Sequence, residues 1–329
     1  MRKKVNHDFW RERRVLVTGH TGFKGSWLCL WLQSMGAVVR GIALNPPTNP
    51  SLFEEASVAD GMDSITLDIR DFAKVRASME EFRPEVIFHM AAQPLVRRSY
   101  DEPLETYSTN LMGTLHVLEA ARFVDTVKSI VNVTTDKCYE NREWVWGYRE
   151  EEPMGGHDPY SSSKGCVEIA SNAYRKSFLI ESGIGMATAR AGNVIGGGDW
   201  AVDRLMPDVL RSLEEKRPVV LRNPQATRPW QHVLEPLSGY LILAERLFLE
   251  EQAYAEGWNF GPIDEDCRSV QWMVEHICDI WGESADFVLE KETQPHEANL
   301  LKLDISKARH RLDWEPSWSL VTCLNNIVK

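Results

Sequence analysis

Arg14-Val15-Leu16-Val17-Thr18-Gly19-His20-Thr21-Gly22-Phe23-Lys24-Gly25 decides how the rest of this chain is read. A short apolar run ends in three glycines spaced GxxGxxG, and a helical stretch, Lys24–Ser34, follows. Gly19 lets the chain turn sharply off the strand, Gly22 lets the backbone approach a pyrophosphate, and Gly25 lets the helix pack close to the strand. The helix N-terminus then offers free amides and the positive end of its dipole to the phosphates. The spacing has the context it needs: strand before, helix after, inside a βαβ unit. A dinucleotide-binding turn is expected over Gly19–Gly25, with Thr21, Phe23 and Lys24 among its contacts.

Outward from this turn, strand-like and helix-like periodicities alternate. Strands are expected at Ala37–Ala43, Ser64–Leu67, Glu85–Met90, Ser129–Val133 and Ile184–Ala189. Helices are expected at Asp71–Phe82, Leu104–Phe123 and Tyr160–Ile180. This alternation predicts an α/β fold, a Rossmann-type doubly wound parallel sheet covered on both faces. From Gly192 the rhythm breaks: glycines, prolines and tryptophans cluster as far as Trp230, and helices then dominate. Residues 1–190 read as the dinucleotide-binding domain, which the chain re-enters around 228–260, and 191–329 as a smaller mixed α/β substrate lobe.

The second strand runs into Gly41-Ile42-Ala43-Leu44-Asn45-Pro46-Pro47, without the acid that usually binds the ribose of NAD. Asn45 can hydrogen-bond a ribose, whereas Arg40 either serves a 2′-phosphate or lies on a solvent-facing strand edge. On these residues NAD and NADP both stay open. Asp68, ending the third strand before Ile69, is placed to bond the adenine amine, or else to sit in a solvated turn.

Composition bounds the function. The 329 residues suit one large domain with a smaller lobe. A formal net charge of −11 argues against nucleic-acid binding, which rests on phosphate neutralisation by Lys and Arg. No apolar run approaches the about 20 residues of a membrane helix, and Glu245 and Arg246 interrupt the longest candidate, Tyr240–Leu249. Cys29, Cys138, Cys166, Cys267, Cys278 and Cys323 are scattered without a CxxC pair, which suggests buried reduced thiols rather than disulfides or a metal site, and hence the cytoplasm.

Tyr160-Ser161-Ser162-Ser163-Lys164 is a YxxxK motif, which on a helix puts phenol and ammonium on one face. Asp158 and Pro159 before it suit an N-cap and a first turn. The nearby ammonium and a bound nicotinamide would both lower the tyrosine pKa towards a useful base. Upstream, the strand Ser129–Val133 ends in Thr134-Thr135-Asp136-Lys137, where parallel sheets bind their ligands. A hydroxyl there can hold a substrate oxygen, and an Asp and a Lys can trade protons.

Three glycines at this spacing, a threonine ending a strand and a later Tyr160-x-x-x-Lys164 together resemble the extended short-chain dehydrogenases/reductases, in their nucleotide-sugar dehydratase branch. Relatives acting on dTDP-glucose or GDP-mannose carry an Asp-Glu pair after the catalytic Thr. Here the pair is Asp136-Lys137, which resembles the branch acting on CDP-glucose. His20–Trp27, Ala91–Val96, Arg190–Trp200 and Arg228–Val233 carry the same likeness, which spans nearly the whole chain. The resemblance implies NAD as cofactor, with Ala91, Ala92, Gln93 and Asn110 beside it and CDP-glucose as substrate. It implies that Tyr160 takes the 4-hydroxyl proton while Thr135 and Lys164 support it, with Asp136 as acid at C6 and Lys137 as base at C5. It places Asn193, Arg228 and His296 near the nucleotide or sugar. Arg204 is a further candidate, in a cluster with Arg211, Lys216, Arg217 and Arg222 that otherwise reads as a solvated helix face. Trp200 and Trp230 suit either a pocket wall or a core.

The resemblance further implies a two-fold homodimer in which the helices over 104–123 and 160–180 form a four-helix interface, with a tetramer as the larger alternative. The implied product enters deoxysugar synthesis for a surface polysaccharide. Two other readings share this fold: an epimerase or reductase, which needs no elimination pair, and a silent NAD-binding regulator, which intact Tyr160 and Lys164 disfavour.

Overall fold

The computed structural model describes residues 4–282, 287–289 and 298–328. Seven strands form one sheet: β1 (Arg14–Thr18), β2 (Val38–Ala43), β3 (Asp63–Thr66), β4 (Val86–His89), β5 (Ser129–Val133), β6 (Gly185–Ala191) and β7 (Gly257–Phe260). Their order is β7-β6-β5-β4-β1-β2-β3, and every neighbouring pair is parallel. The order reverses between β1 and β4, which opens a crevice at the carboxyl ends of the strands.

The strands are apolar in unbroken runs because both faces are covered. Val15 and Val17 pack with Phe88, Val131 and Ala189 on one side, while Leu16 packs with Ile87, Ile130 and Met186 on the other. Each such side chain contributes about 1.5–3 kcal/mol on burial. The covering helices are α1 (Phe23–Ser34), α2 (Phe72–Phe82), α3 (Gly113–Ala121), α4 (Pro159–Tyr174) and α6 (Leu234–Glu250), while α5 (Leu205–Glu214) belongs to the smaller region. Asp71 and Asp158 cap α2 and α4 by accepting from the Lys74 and Ser161 amides.

Three local features depart from the sequence expectations. The helix expected over Leu104–Phe123 is divided: Pro103–Tyr107 is helical, Ser108–Met112 forms a π turn, and α3 follows. A second π turn, Arg175–Leu179, continues α4. After Trp230 helices do not simply dominate, because α6 packs on β5 and β6 and leads to the seventh strand, β7. Glu245, which interrupts the apolar stretch of α6, is buried and accepts hydrogen bonds from the Asn6 amide and Trp10 Nε1.

The smaller region holds α5, the helices Val270–Trp281 and Leu320–Val328, and three two-stranded pairings. Its core joins Ile195, Val209, Leu221, Trp230, Ile277 and Leu324. Trp230 is thus a core residue, its indole N–H donating to Arg268 O, while Trp200 is half-buried. A separate cluster of Cys138, Tyr139, Tyr148, Leu301 and Leu303 ties the chain after β5 to the segment before the C-terminus. All six cysteines are free; Cys29, Cys138, Cys278 and Cys323 are buried, but Cys166 and Cys267 only half so. No described helix is long and apolar enough to cross a membrane.

Candidate active site

The glycine turn is shaped by what it lacks. Gly19 has φ +77°, and a Cβ there would lie 2.7 Å from Ala91 N. A Cβ on Gly25 would lie 2.1 Å from Gly19 O, so α1 rests directly on the turn. Gly22 is different: its nearest neighbour would stand at 3.4 Å, and as N-cap of α1 it offers no side-chain cap. An open backbone wall at an uncapped helix N-terminus fits a pyrophosphate. Thr21 Oγ1 donates to Leu44 O at 2.9 Å and fastens the turn to the end of β2, where Asn45 is exposed.

Across the crevice, Thr18 Oγ1 accepts from the Met90 and Ala91 amides, both at 3.1 Å. Gln93 is locked by Asn110, whose side chain accepts from Gln93 N at 2.8 Å and donates to Gln93 O and to Ser163 Oγ. The π turn that carries Asn110 thus joins Ala91-Ala92-Gln93 to α4; such turns recur at functional sites. Asp68 forks onto Arg70, which holds its carboxyl below the usual range, and its side chain remains 31% exposed; Ile69 beside it is buried.

Arg40 does neither thing expected of it. It is buried, paired with Asp63 at 2.6 Å and Glu81 at 2.9 Å, and bonded to Ser78 O. Its guanidinium is spent inside the fold rather than offered to a ribose phosphate or to solvent.

Thr135, two residues beyond β5, caps a single 3-10 turn, Asp136–Cys138. Its Oγ1 accepts from Lys137 N at 3.3 Å and donates to Asp136 Oδ1 at 3.0 Å. Asp136 is 2% exposed, and its Oδ2 has no partner. The chain after β6 closes over that oxygen: a Cβ on Gly192 would stand 2.8 Å from it. Burial raises the Asp136 pKa against the pull of Lys137, the Thr135 hydroxyl, Arg228 and Lys24.

Tyr160 and Lys164 are buried on the same face of α4. Lys164 Nζ donates to Val133 O at 3.3 Å. In the chain alone, without the nicotinamide charge, the tyrosine pKa is raised. Burial pushes it up to about 12, only partly opposed by a hydrogen bond with Thr135 and by Arg204. Burial lowers Lys164 to about 8. Phenolate formation therefore needs a further positive charge, which an oxidised nicotinamide ring provides.

Three of the four candidate substrate residues lie in the described chain. Arg204, at the start of α5, pairs with Asp199 at 2.9 Å, and its charge reaches Tyr160 and Lys24. Arg228 is buried; its Nη1 donates to Thr227 O at 3.1 Å, and its charge bears on Asp136. Asn193 is half-buried, and its backbone carbonyl accepts from Gln231 N. His296 lies outside the described residues. Arg211 and Arg217 pair with Asp208 and Glu215 at the surface, Arg222 pairs with Asp203, and Lys216 is exposed.

Sequence reasoning missed three features of the surroundings of these groups. Lys24, read only as a cofactor contact, also turns towards the catalytic residues. Its Nζ lies 5.8 Å from the centre of the Tyr240 ring, and burial, Arg204 and Lys164 lower it to about 8. The Tyr240 hydroxyl, from α6, is buried without a partner. Glu168 bonds Thr134, next to Thr135. Only Glu168 left a signal, its i+4 spacing from Lys164.

A glycine cradle and a Thr–Tyr–Lys set at the carboxyl ends of parallel strands define an extended short-chain dehydrogenase/reductase fold. The chain belongs to the GDP-mannose 4,6-dehydratase family, whose model matches residues 16–327. It is 58% identical over 330 residues to CDP-glucose 4,6-dehydratase of Salmonella typhimurium, covering 99% of this chain and 92% of that one. Among solved structures, UDP-glucose 4-epimerase of Thermotoga maritima with UDP-glucose superposes with a TM-score of 0.83 at 23% identity, covering 96% of this chain and 97% of that one. The dTDP-glucose 4,6-dehydratase of Bacillus anthracis in complex with NAD gives 0.80 at 22%, covering 96% and 95%.

Proposed function

We propose that this chain is a hydro-lyase that converts CDP-glucose into CDP-4-keto-6-deoxyglucose and water. The observation that carries this is the turn Thr135-Asp136-Lys137, its Thr135 and Asp136 buried and Lys137 half-buried, beside Tyr160 and Lys164, because proton transfer at C5 and at the C6 oxygen needs a second acid–base pair. The 58% identity to a CDP-glucose 4,6-dehydratase over almost the full length supports the nucleotide. The cofactor is NAD, in keeping with the commitment of Arg40 to Asp63 and Glu81 and with the NAD complex of the Bacillus anthracis relative.

NAD, when bound, supplies the hydride acceptor at C4 and returns that hydride at C6, so the reaction is redox-neutral overall. Tyr160 accepts the 4-hydroxyl proton, Thr135 holds that oxygen, and Lys164 supports the phenolate. The ketone at C4 acidifies the C5 proton, which Lys137 removes and then gives back to C5 once C6 has been reduced. Asp136 protonates the departing C6 hydroxyl; a carboxyl whose pKa burial raises suits that task. Arg204 and Arg228 supply positive charge for the diphosphate, with Asn193 and His296 beside the nucleotide or sugar. An epimerase would use Thr135, Tyr160 and Lys164 but would leave Asp136 and Lys137 without work.

In assembly, a two-fold homodimer is the proposed unit. Leu104, Met112, Phe123, Ile169, Phe178 and Ile180 expose apolar surface along the two helices that would pair with their copies. The six free thiols suit the cytoplasm as its compartment. Product masses after incubation with NAD and CDP-, UDP-, dTDP- or GDP-linked hexoses test the reading. Loss of one water from CDP-glucose alone is expected. Water loss from another donor overturns the nucleotide, and isomerised sugar without water loss overturns the reaction.

A further inference from the structure

We infer that Glu168 is a positioning residue for catalysis: one buried carboxylate fixes the Thr134–Thr135 corner and holds the charge of Lys164. Tyr160, Lys164 and Glu168 stand at i, i+4 and i+8 along one face of α4, so the carboxylate lies one turn beyond the ammonium. Its side chain is only 4% exposed. Oε1 accepts from Thr134 Oγ1 at 2.5 Å and Arg190 Nε at 2.9 Å. Oε2 accepts from Thr188 Oγ1 at 2.7 Å and Arg190 Nη2 at 2.8 Å. Burial alone would favour the neutral acid, but Arg190 and these hydrogen bonds outweigh it and keep the carboxyl below its ordinary pKa.

Two consequences reach the reacting groups. Thr134 directly precedes Thr135, so its bond to Glu168 sets where β5 ends and where Val133 O meets Lys164 Nζ. Around Lys164 stand Glu168 on its own helix, Cys138 on the catalytic turn, Lys24 on α1 and His89 on β4. Lys24 adds positive charge, and the Cys138 thiol and the His89 ring stay neutral through burial. Glu168 is therefore the carboxylate that offsets the burial of Lys164. Arg190 keeps two other hydrogen-bond acceptors, Tyr139 Oη at 2.7 Å and Glu150 O at 2.9 Å, but Glu168→Gln removes its buried counter-charge, so folding is checked separately.

This role rests on the dehydratase reading, because turnover is what is measured. The experiment follows kcat and KM against pH for wild type, Glu168→Gln and Thr134→Val, with circular dichroism as a check on folding. In Glu168→Gln the alkaline limb of kcat should move about one unit towards acid, and kcat near pH 8 should fall about tenfold with KM within about threefold. Thr134→Val keeps the carboxylate charge, so its kcat should fall about threefold with the limb in place. A Glu168→Gln limb that superimposes on wild type overturns the role. Should Glu168→Gln fail to fold, an unchanged kcat in Thr134→Val overturns it instead. Wild type that removes water from no nucleotide sugar would overturn the proposed function, a distinct result.

Discussion

Two turns facing one crevice, Gly19–Gly25 after β1 and Thr135–Cys138 after β5, are built on opposite principles. The first is made by missing atoms: a carbon on Gly25 or Gly19 would collide with backbone, so the turn has one shape, and its titratable Lys24 reaches away from the glycines towards the second turn. The second is made by polar side chains in excess of their partners, with Asp136 Oδ2 unmet and the Tyr240 hydroxyl unmet nearby. Shape suffices to hold a pyrophosphate, whose charge does not change in the reaction. Moving protons needs groups whose charge is easily changed, and the protein bears their burial as a standing cost to its stability.

The largest expected effect tests the shape of the first turn. Gly25→Val puts a carbon 2.1 Å from Gly19 O, where backbone must shift. Strain of about 3 kcal/mol corresponds to about a hundredfold loss of NAD affinity, read by calorimetric titration. Gly197→Ala is the matched control, since nothing lies within 4 Å of the added carbon. Equal NAD affinity in the two variants would break the comparison at its first term.

Asp136→Asn tests the second turn and should separate activity from stability. kcat should fall by about 10²–10⁴-fold with NAD affinity within threefold. The melting temperature should rise at the same time. The folded pKa of Asp136 is raised, so below the ordinary value near 3.8 both states are protonated and the group is neutral to stability. As pH rises past that value the unfolded carboxyl ionises first, and stability is lost until the raised folded pKa is passed. Asn escapes this loss, so a gain of about 1 kcal/mol, or about 2 °C, is expected near pH 8 and none below pH 4. A melting point that falls equally at both pH values would mean that Asp136 is structural.

The same contrast explains what could be read in the chain beforehand. Spacing is visible in sequence, so Gly19, Gly22 and Gly25, Tyr160 and Lys164, and the first six strands were all legible. β7 was not, because Gly-Trp-Asn-Phe is short, opens with Gly and has no β-branched residue. The π turns at Ser108–Met112 and Arg175–Leu179 were hidden because their residues suit an α-helix equally well. The fate of a charge depends on partners far along the chain. Arg40 ends on Asp63 and Glu81, Glu245 on Asn6 and Trp10, and Glu168 on Thr134, Thr188 and Arg190. The burial that opposes a low Tyr160 pKa was hidden for a related reason, since burial is set by tertiary packing rather than by the YxxxK spacing.

The smallest expected effect sharpens where the chemical turn ends. Tyr240 is fully buried in α6, its ring edge-on to Phe260 with centroids 5.4 Å apart, and its hydroxyl has no partner. Burial first, then Asp136 and Tyr160, push its pKa upward, so it stays a neutral phenol throughout the working range. A buried hydroxyl without a hydrogen bond is a cost, and removing it relieves up to about 1 kcal/mol. Tyr240→Phe should therefore melt up to about 2 °C higher, with kcat within twofold of wild type. A kcat that falls tenfold or more would instead place the Tyr240 hydroxyl among the groups serving Asp136. The proton-moving side of the crevice would then extend from the β5 turn into α6, and its contrast with the glycine turn would widen.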